Sequence, residues 1–342
     1  MERRFLTAWR YNPMLRAAKE PRAARQLPVA AAGALVDGGA QEFAKNIPRI
    51  EYSALMRNRR LGPHVGTGSF GSVWRAQWQG ADVAVKKLLE RRPVAQDGRE
   101  IECSIYDEAS LLDMIGHPNV LTLYGVCVNP ASLVTEYCSH GSLSVLLANA
   151  KHKVDTEHAT PFAHLGWNRR IGYALDIARG MRHLHEREVP ILHRDLRSPN
   201  LLIATDRTVK VADFGQSKQD IVRKQHTNLN SRNPRWLAPE LLRGERASQG
   251  SDVFSFGVVL FEIYALQAPW DGMADKAISQ AVTGGTHPDV PVGAPFYGYY
   301  ATPEQAGAYC KLMHQCWAPE SQARPSFKTI EQSLLACVPR RA

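Results

Sequence analysis

Two aspartates and an asparagine are spaced to manage a proton and a divalent cation. They are Asp195 and Asn200 in His193-Arg194-Asp195-Leu196-Arg197-Ser198-Pro199-Asn200, and Asp213, thirteen residues further on, in Asp213-Phe214-Gly215. A carboxylate such as Asp195 can accept or orient the proton of an attacking hydroxyl. The Asn200 side-chain oxygen and the Asp213 carboxylate are hard donors suited to Mg²⁺, or to Mn²⁺, against the β- and γ-phosphates of ATP. Arg197 can set a cation against a transferring phosphoryl group. Such a transfer asks little covalent chemistry of a protein, because positioning, metal and charge neutralisation lower most of the barrier.

A second constellation lies upstream. In Gly66-Thr67-Gly68-Ser69-Phe70-Gly71-Ser72-Val73 the glycines let backbone approach phosphate closely. Alone, Gly-x-Gly-x-x-Gly is weak, since dinucleotide-binding folds share it. Here a strand pattern, Ser72–Trp78, follows instead of a helix. That favours a glycine-rich hairpin over ATP and argues against a Rossmann turn. Val83-Ala84-Val85-Lys86 alternates as a strand and points a lysine into a cleft, where it could hold the α- and β-phosphates if an acid orients it. Glu108, 22 residues later, is the expected acid, with Asp107 as the alternative.

The elements that must carry these residues are legible from periodicity. Leu61–Val65, Ser72–Trp78 and Asp82–Leu88 read as strands. Ile101–Ile115 reads as a helix through Ile101, Ile105, Glu108 and Leu112, ended by His117-Pro118-Asn119. Leu121–Cys127 and Ala131–Glu136 read as strands, and Trp167–His185, Asp252–Ala265 and Glu304–Cys316 as helices. A small β-rich lobe with one main helix therefore precedes a larger helical lobe, an α+β bilobal architecture.

Together these motifs resemble the eukaryotic protein kinase family from about Arg49 to Cys337. The resemblance implies an N-lobe at about 49–137, a C-lobe at about 138–337, a basic tail over 1–48 and a short tail over 338–342. It implies an activation segment from Asp213 to Ala238-Pro239-Glu240, Asp252 as a brace for the catalytic loop, and an ion pair between Glu240 and Arg324. It places Thr135 at the back of the ATP pocket and Glu136-Tyr137-Cys138 as the adenine-reading hinge. Val73, Ala84 and Leu202 would sandwich the base, with Val65 and the residues from Gly66 to Gly71 over the nucleotide.

Within the family, three segments resemble the tyrosine-kinase-like group that contains Raf and mixed-lineage kinases: Trp78-Gln-Gly-Ala-Asp-Val-Ala-Val-Lys86, Ser198-Pro199-Asn200-Leu-Leu and Arg49-Ile-Glu-Tyr-Ser-Ala-Leu55. Transfer to serine or threonine hydroxyls of protein substrates is the implied activity. Two departures leave tyrosine or dual specificity, and a catalytically weak scaffold, as alternatives. Arg197 stands where serine/threonine kinases usually place lysine, and Arg232-Asn233 stands where the group usually has Gly-Thr. If phosphorylation by an upstream activator orders the activation segment, its candidates are Thr227 first, then Ser231 and Ser217.

Composition narrows the partners. The net charge is +9, but residues 1–57 contribute ten Lys/Arg against five Asp/Glu, leaving +4 on the other 285 residues. A phosphate-binding enzyme carries that excess, so no nucleic-acid partner is expected. The longest apolar run of the N-terminal region, Leu27–Val36, is too short to span a bilayer. Met1–Arg25 holds seven basic and two acidic residues but no serine, and reads as a disordered tail more than an organelle-targeting peptide. The six cysteines include no Cys-x-x-Cys pair, so packed thiols in a cytoplasmic protein, with access to the nucleus, are expected. His183, His185 and His193 read as structural, Lys151–His164 as an exposed insertion, and Phe296–Tyr300 as loop packing.

Overall fold

The computed structural model of the chain describes residues 47–68, 71–88, 99–154, 165–219, 233–291 and 302–338. The chain divides into two compact units, Met1–Ser139 and His140–Ala342.

In the first unit, five antiparallel strands form one sheet in the order β1-β2-β3-β5-β4. They are β1 (His64–Gly68), β2 (Gly71–Trp78), β3 (Ala81–Leu88), β4 (Leu123–Cys127) and β5 (Ser132–Glu136). Alternation along β3 buries Val83 and Val85 completely, in a core with Ala76, Cys127, Val134, Ile50 and Leu55. The opposite face meets helix α1 (Arg99–Ile115), where Ile105 and Ala109 pack with Leu133 and Val126. Gly116, at φ 48°, lets the chain leave α1 in the left-handed region.

The first strand begins at His64, three residues later than its apolar pattern suggests. Pro63 has no N–H to give, and only its carbonyl joins the ladder, accepting from the Arg75 amide at 2.9 Å. The tail boundary drawn at residue 48 also shifts, because Ile47 is buried in the core and the Pro48 carbonyl accepts from Val126 N at 2.9 Å. Gly125 makes that close approach possible, since a Cβ there would collide with the Pro48 carbonyl oxygen.

The second unit is built around a helix that is apolar on every side. Helix α5 (Gln249–Ala265) is buried from Ser251 to Ala265, as an all-round apolar helix must be. It starts three residues before the expected Asp252, because Ser248 caps it reciprocally with Ser251. Around it pack α3 (Trp167–His185), α7 (Pro303–Cys316) and α8 (Phe327–Ala336). Tyr309 donates to the Leu260 carbonyl at 2.9 Å, and the rings of His185, Phe327 and Phe256 stack edge to face in series. Arg170 closes the far end of α5, donating to the Tyr264 carbonyl at 3.0 Å and the Ile263 carbonyl at 3.4 Å. Burial pulls its pKa down to about 10. The remaining helices are α2 (Leu143–Val154), α4 (Pro239–Leu242) and α6 (Asp275–Thr283), and the strand pairs are β6 (Ile191–Leu192) with β9 (Lys218–Gln219) and β7 (Leu201–Ile203) with β8 (Val209–Val211). Lys151–Val154, expected in an exposed insertion, are instead the last turn of α2. Residues 155–164 and the aromatic run at 296–300 lie outside the described residues.

Candidate active site

In the first unit, strand register gathers the expected nucleotide residues on one face of the sheet. Gly66 pairs with Val73, Val73 with Lys86, and Ala84 with Thr135, and directly opposed residues share a face. This is the face that α1 covers at Leu133, the partner of Lys86. Glu108 projects from α1 to meet the lysine. Lys86 Nζ donates to Glu108 Oε1 at 3.0 Å and Oε2 at 3.3 Å, with the lysine side chain 18% and the glutamate 9% exposed. Glu108, the expected acid, thus pairs with Lys86, and the side chain of Asp107, the alternative, lies outside what the structure describes.

The glycines of the hairpin have different reasons to be glycine. A Cβ at Gly71 would collide with the Lys87 carbonyl oxygen, so strand packing alone requires it. At Gly66 a Cβ would meet no atom of the described residues within 4 Å, and the backbone there needs no left-handed conformation. Packing therefore gives no reason for glycine at 66, and the open space beside it suits a close ligand. Thr67 and Val65 are exposed in β1, and Gly68 pairs with Gly71. Ser69 and Phe70 lie outside the described residues. Thr135 is buried and donates to the Glu136 carbonyl at 3.3 Å, while the Glu136 carboxylate accepts from Thr122 N at 2.8 Å. Cys138 is buried and forms no disulfide.

In the second unit the backbone at the start of the loop between β6 and β7 is fixed by a buried carboxylate. Asp252 of α5 accepts from the amides of His193 at 2.9 Å and Arg194 at 2.8 Å, and pairs with His185 Nε2 at 2.9 Å. Burial pushes its carboxyl pKa up, but these donors outweigh burial and hold it below the usual range. The reward is backbone control, since Arg194 is kept at φ 66°, where a non-glycine residue is strained. The His193 ring takes its tautomer from its neighbours. Nδ1 accepts from Asp195 N at 3.3 Å, so Nε2 carries the proton shared with the Ala212 carbonyl at 3.0 Å. His185 and His193 are thus structural.

On this frame sits Asp195. Its Oδ2 accepts from Asn200 Nδ2 at 2.8 Å and Arg197 Nε at 3.2 Å, and Asn200 Nδ2 also reaches the Asp195 carbonyl at 2.9 Å. Asn200 therefore spends its amide nitrogen on Asp195, leaving its Oδ1 for a cation. Asp213 follows β8 in the left-handed region, at φ 65° and ψ 71°, a strained geometry of the kind that functional sites store. Asn200 and Asp213 supply oxygen donors only, and no cluster of three His, Cys, Asp or Glu occurs among the described residues. Two hard ligands suit a divalent cation that keeps waters and substrate phosphates in its shell, and do not suit a closed protein cage. Leu202, in β7, is half-buried.

A profile for protein tyrosine and serine/threonine kinases matches residues 60–334. The chain belongs to the protein kinase family. Across 275 residues it is 38% identical to the serine/threonine-protein kinase CTR1 of Arabidopsis thaliana, covering 78% of this chain and 30% of that protein. It is 36% identical over 282 residues to the probable serine/threonine-protein kinase SIS8 of the same plant (80% of this chain, 24% of the relative), and 35% identical over 287 residues to pats1 of Dictyostelium discoideum (79% and 8%). The kinase thus spans less than a third of the length of these curated relatives. Its sequence is that of a Raf-like member of the tyrosine-kinase-like group. The family uses ATP and a divalent metal and acts on protein substrates. No described helix is long and apolar enough to cross a membrane.

The two departures in this kinase have different structural consequences. Arg197 reaches the Asp195 carboxylate despite its different shape. Asn233 does local work, its side-chain oxygen capping the Pro234–Trp236 turn by accepting from Arg235 N at 3.1 Å. Ser217, a phosphorylation candidate, is buried and donates to the His193 carbonyl at 3.1 Å. Phosphorylation there would require the hydroxyl to leave this bond and its buried position. Thr227 and Ser231 lie outside the described residues.

Sequence reasoning missed one ionisable residue close to this site. Glu262 of α5 accepts from Ser198 of the catalytic loop and from Trp236 of the activation segment's end. A signal was available: Glu262 is the lone carboxylate in the otherwise apolar run Phe256–Ala265, and a charge in such a run calls for a partner.

Proposed function

We propose that the chain is an active serine/threonine kinase that transfers the γ-phosphate of ATP to hydroxyls of signalling proteins. The single observation that carries this reading is the Asp195 carboxylate held by Asn200 and Arg197 on a backbone pinned by Asp252. The serine/threonine assignment draws on the names of the similar proteins.

Asp195 Oδ1 accepts the proton of the substrate hydroxyl as that oxygen bonds to the γ-phosphorus and the bond to the β,γ-bridging oxygen breaks, releasing ADP. Lys86, oriented by Glu108, holds the α- and β-phosphates, and Gly66 leaves room for the chain to lie close to them. Thr135, Glu136 and Cys138 border the adenine site, with Val73, Ala84 and Leu202 against the base. Asn200 Oδ1 and the Asp213 carboxylate would hold Mg²⁺, or Mn²⁺, which supplies charge neutralisation at the phosphates. Arg197 adds a further positive charge there. An upstream kinase would act on Thr227 or Ser231. Cys127, Cys138, Cys310, Cys316 and Cys337 form no disulfide, which suits a reducing compartment, the cytosol or nucleus.

The test is incubation with γ-labelled ATP and Mg²⁺ beside Asp195→Asn, followed by phosphoamino-acid analysis. Label on serine and threonine that drops roughly 10²- to 10⁴-fold in the variant is expected. Phosphotyrosine alone would reverse the specificity. Equal label in both proteins would remove Asp195 from the mechanism.

A further inference from the structure

Glu262 lies in the last turn of the buried helix α5, 5% exposed, with two hydrogen bonds from different parts of the reaction machinery. Ser198 Oγ, three residues past Asp195, donates to its Oε1 at 2.6 Å. Trp236 Nε1, in the turn that closes the activation segment, donates to its Oε2 at 2.8 Å. Both donors are uncharged. The charged groups around it are engaged elsewhere: Arg235 with the carbonyls of Pro269, Trp270 and Met273, Arg170 with those of Ile263 and Tyr264, and Arg197 with Asp195. Asp271 adds only a like charge, across a cavity of about 610 Å³ that both residues line.

We propose that Glu262 is a positioning residue for phosphoryl transfer: its ionised carboxylate ties the catalytic loop at Ser198 to the substrate-side turn at Trp236. The inference rests on the kinase reading above. Glu262 touches neither ATP nor the reacting hydroxyl, and it acts by holding together the two segments that must meet the substrate.

The chemistry of the bridge makes it depend on charge. An indole N–H can only donate, so Oε2 must remain an acceptor. A carboxylate receives both donors through charge-assisted bonds, which are about twice as strong as neutral ones. A proton on Oε1 forces the Ser198 hydroxyl to turn round, and a proton on Oε2 opposes the indole. Burial, partly offset by Ser198 and Trp236, pushes the carboxyl up to about 7. The bridge therefore loosens as the pH falls through neutrality, and the cavity gives water a path to the group.

Glu262→Gln isolates the charge, because the amide can accept from Trp236 and donate to Ser198 at every pH. The expected result is that wild-type kcat/KM for a peptide falls below pH 7 while KM for ATP holds. The variant should be roughly five- to tenfold slower at pH 8, without that acid limb. The Trp236 indole ¹H–¹⁵N signal, assigned with Trp236→Phe, should titrate near pH 7 in wild type and stay still in Glu262→Gln. Should that variant not fold, Ser198→Ala serves, since losing a donor that favours the ionised form moves the acid limb to higher pH. An acid limb unchanged in Glu262→Gln, or unmoved in Ser198→Ala, overturns the proposal, as does an indole that does not titrate. A titrating indole in a protein that transfers no phosphate overturns the kinase reading and the catalytic role with it, leaving a structural bridge.

Discussion

At the scale of single residues, charge is placed where its cost is offset by control over backbone. Asp252 and Glu262 occupy the same buried helix, ten residues apart, with opposite outcomes. Asp252 meets two amides and a histidine and stays well ionised, whereas Glu262 meets only a hydroxyl and an indole and is pushed up to about 7. A carboxyl raised in this way favours the folded state while protonated. Its contribution is complete below the ordinary carboxylate value of 4.5 and is lost as the pH rises through 7. Holding Glu262 ionised thus costs the fold at most about 3 kcal/mol above neutrality. Glu262→Gln avoids that cost, so its unfolding midpoint should match wild type near pH 5 and exceed it by several degrees at pH 8. Scanning calorimetry at the two pH values checks this, and a constant gap would mean that the group is not buried as a charge. Asp252→Asn should behave differently, because its amide nitrogen faces a backbone N–H and one of the three bonds must fail. Misplacing the catalytic loop should lower kcat about 10²-fold, measured beside an unchanged far-UV spectrum. The motif residues Lys86, Glu108, Asp195 and Asn200 were legible because their spacing is fixed by one chemistry. Glu262 was not, because its partners lie 64 and 26 residues away and no local spacing joins them.

At the scale of elements, helices were readable where one periodic face runs their whole length, and boundaries failed where another segment decides them. Trp167–His185 runs as its pattern predicts. The starts of β1 and α5 moved because Pro63 and Ser248 set hydrogen bonds that an apolar pattern does not contain. The joint between α4 and the segment before α8 shows what sequence alone leaves as a mere resemblance. Arg324 donates to Glu240 Oε1 at 2.7 Å and Oε2 at 2.9 Å, then to the carbonyls of Ala318, Gly250 and Pro319, over the ring of Phe254. Burial pushes the Glu240 carboxyl up, but Arg324 and Ser251 overcome it and hold it below the usual range. Stability from this joint is therefore present above the ordinary carboxylate pKa and lost as the pH falls through the folded value. Arg324→Ala strands a buried carboxylate and three carbonyls, and should cost about 3–5 kcal/mol in urea unfolding at pH 7. Arg324→Lys keeps the charge without the two-pronged contact and should recover only part of that. A loss below about 1 kcal/mol for the alanine variant would show that water replaces the guanidinium there.

At the scale of the molecule, the residues proposed for one nucleotide come from both units: Lys86 and Glu108 from the first, Asn200 and Asp213 from the second. Each set has contacts within its own unit, the Lys86–Glu108 ion pair in one and the Asp195–Asn200 hydrogen bonds in the other. A ligand that uses both sets stabilises the folded chain by RT ln(1 + [L]/Kd), about 2.7 kcal/mol at a hundredfold excess over Kd. Because Asn200 and Asp213 are only two side-chain ligands, the metal alone should bind poorly, and most of its affinity should come through the phosphates. Thermal unfolding should therefore respond little to Mg²⁺ alone, modestly to ATP with a chelator, and most to the two together, the excess over the separate effects measuring their coupling. Asp213→Asn removes a charge from the metal's shell and should erase that excess while leaving the chelated-ATP shift intact. Lys86→Met should do the reverse, weakening the ATP shift with or without the metal. If both variants lose the same portion of the stabilisation, the lysine and the aspartate do not have the separate roles assigned to them, and the nucleotide is held in some other way.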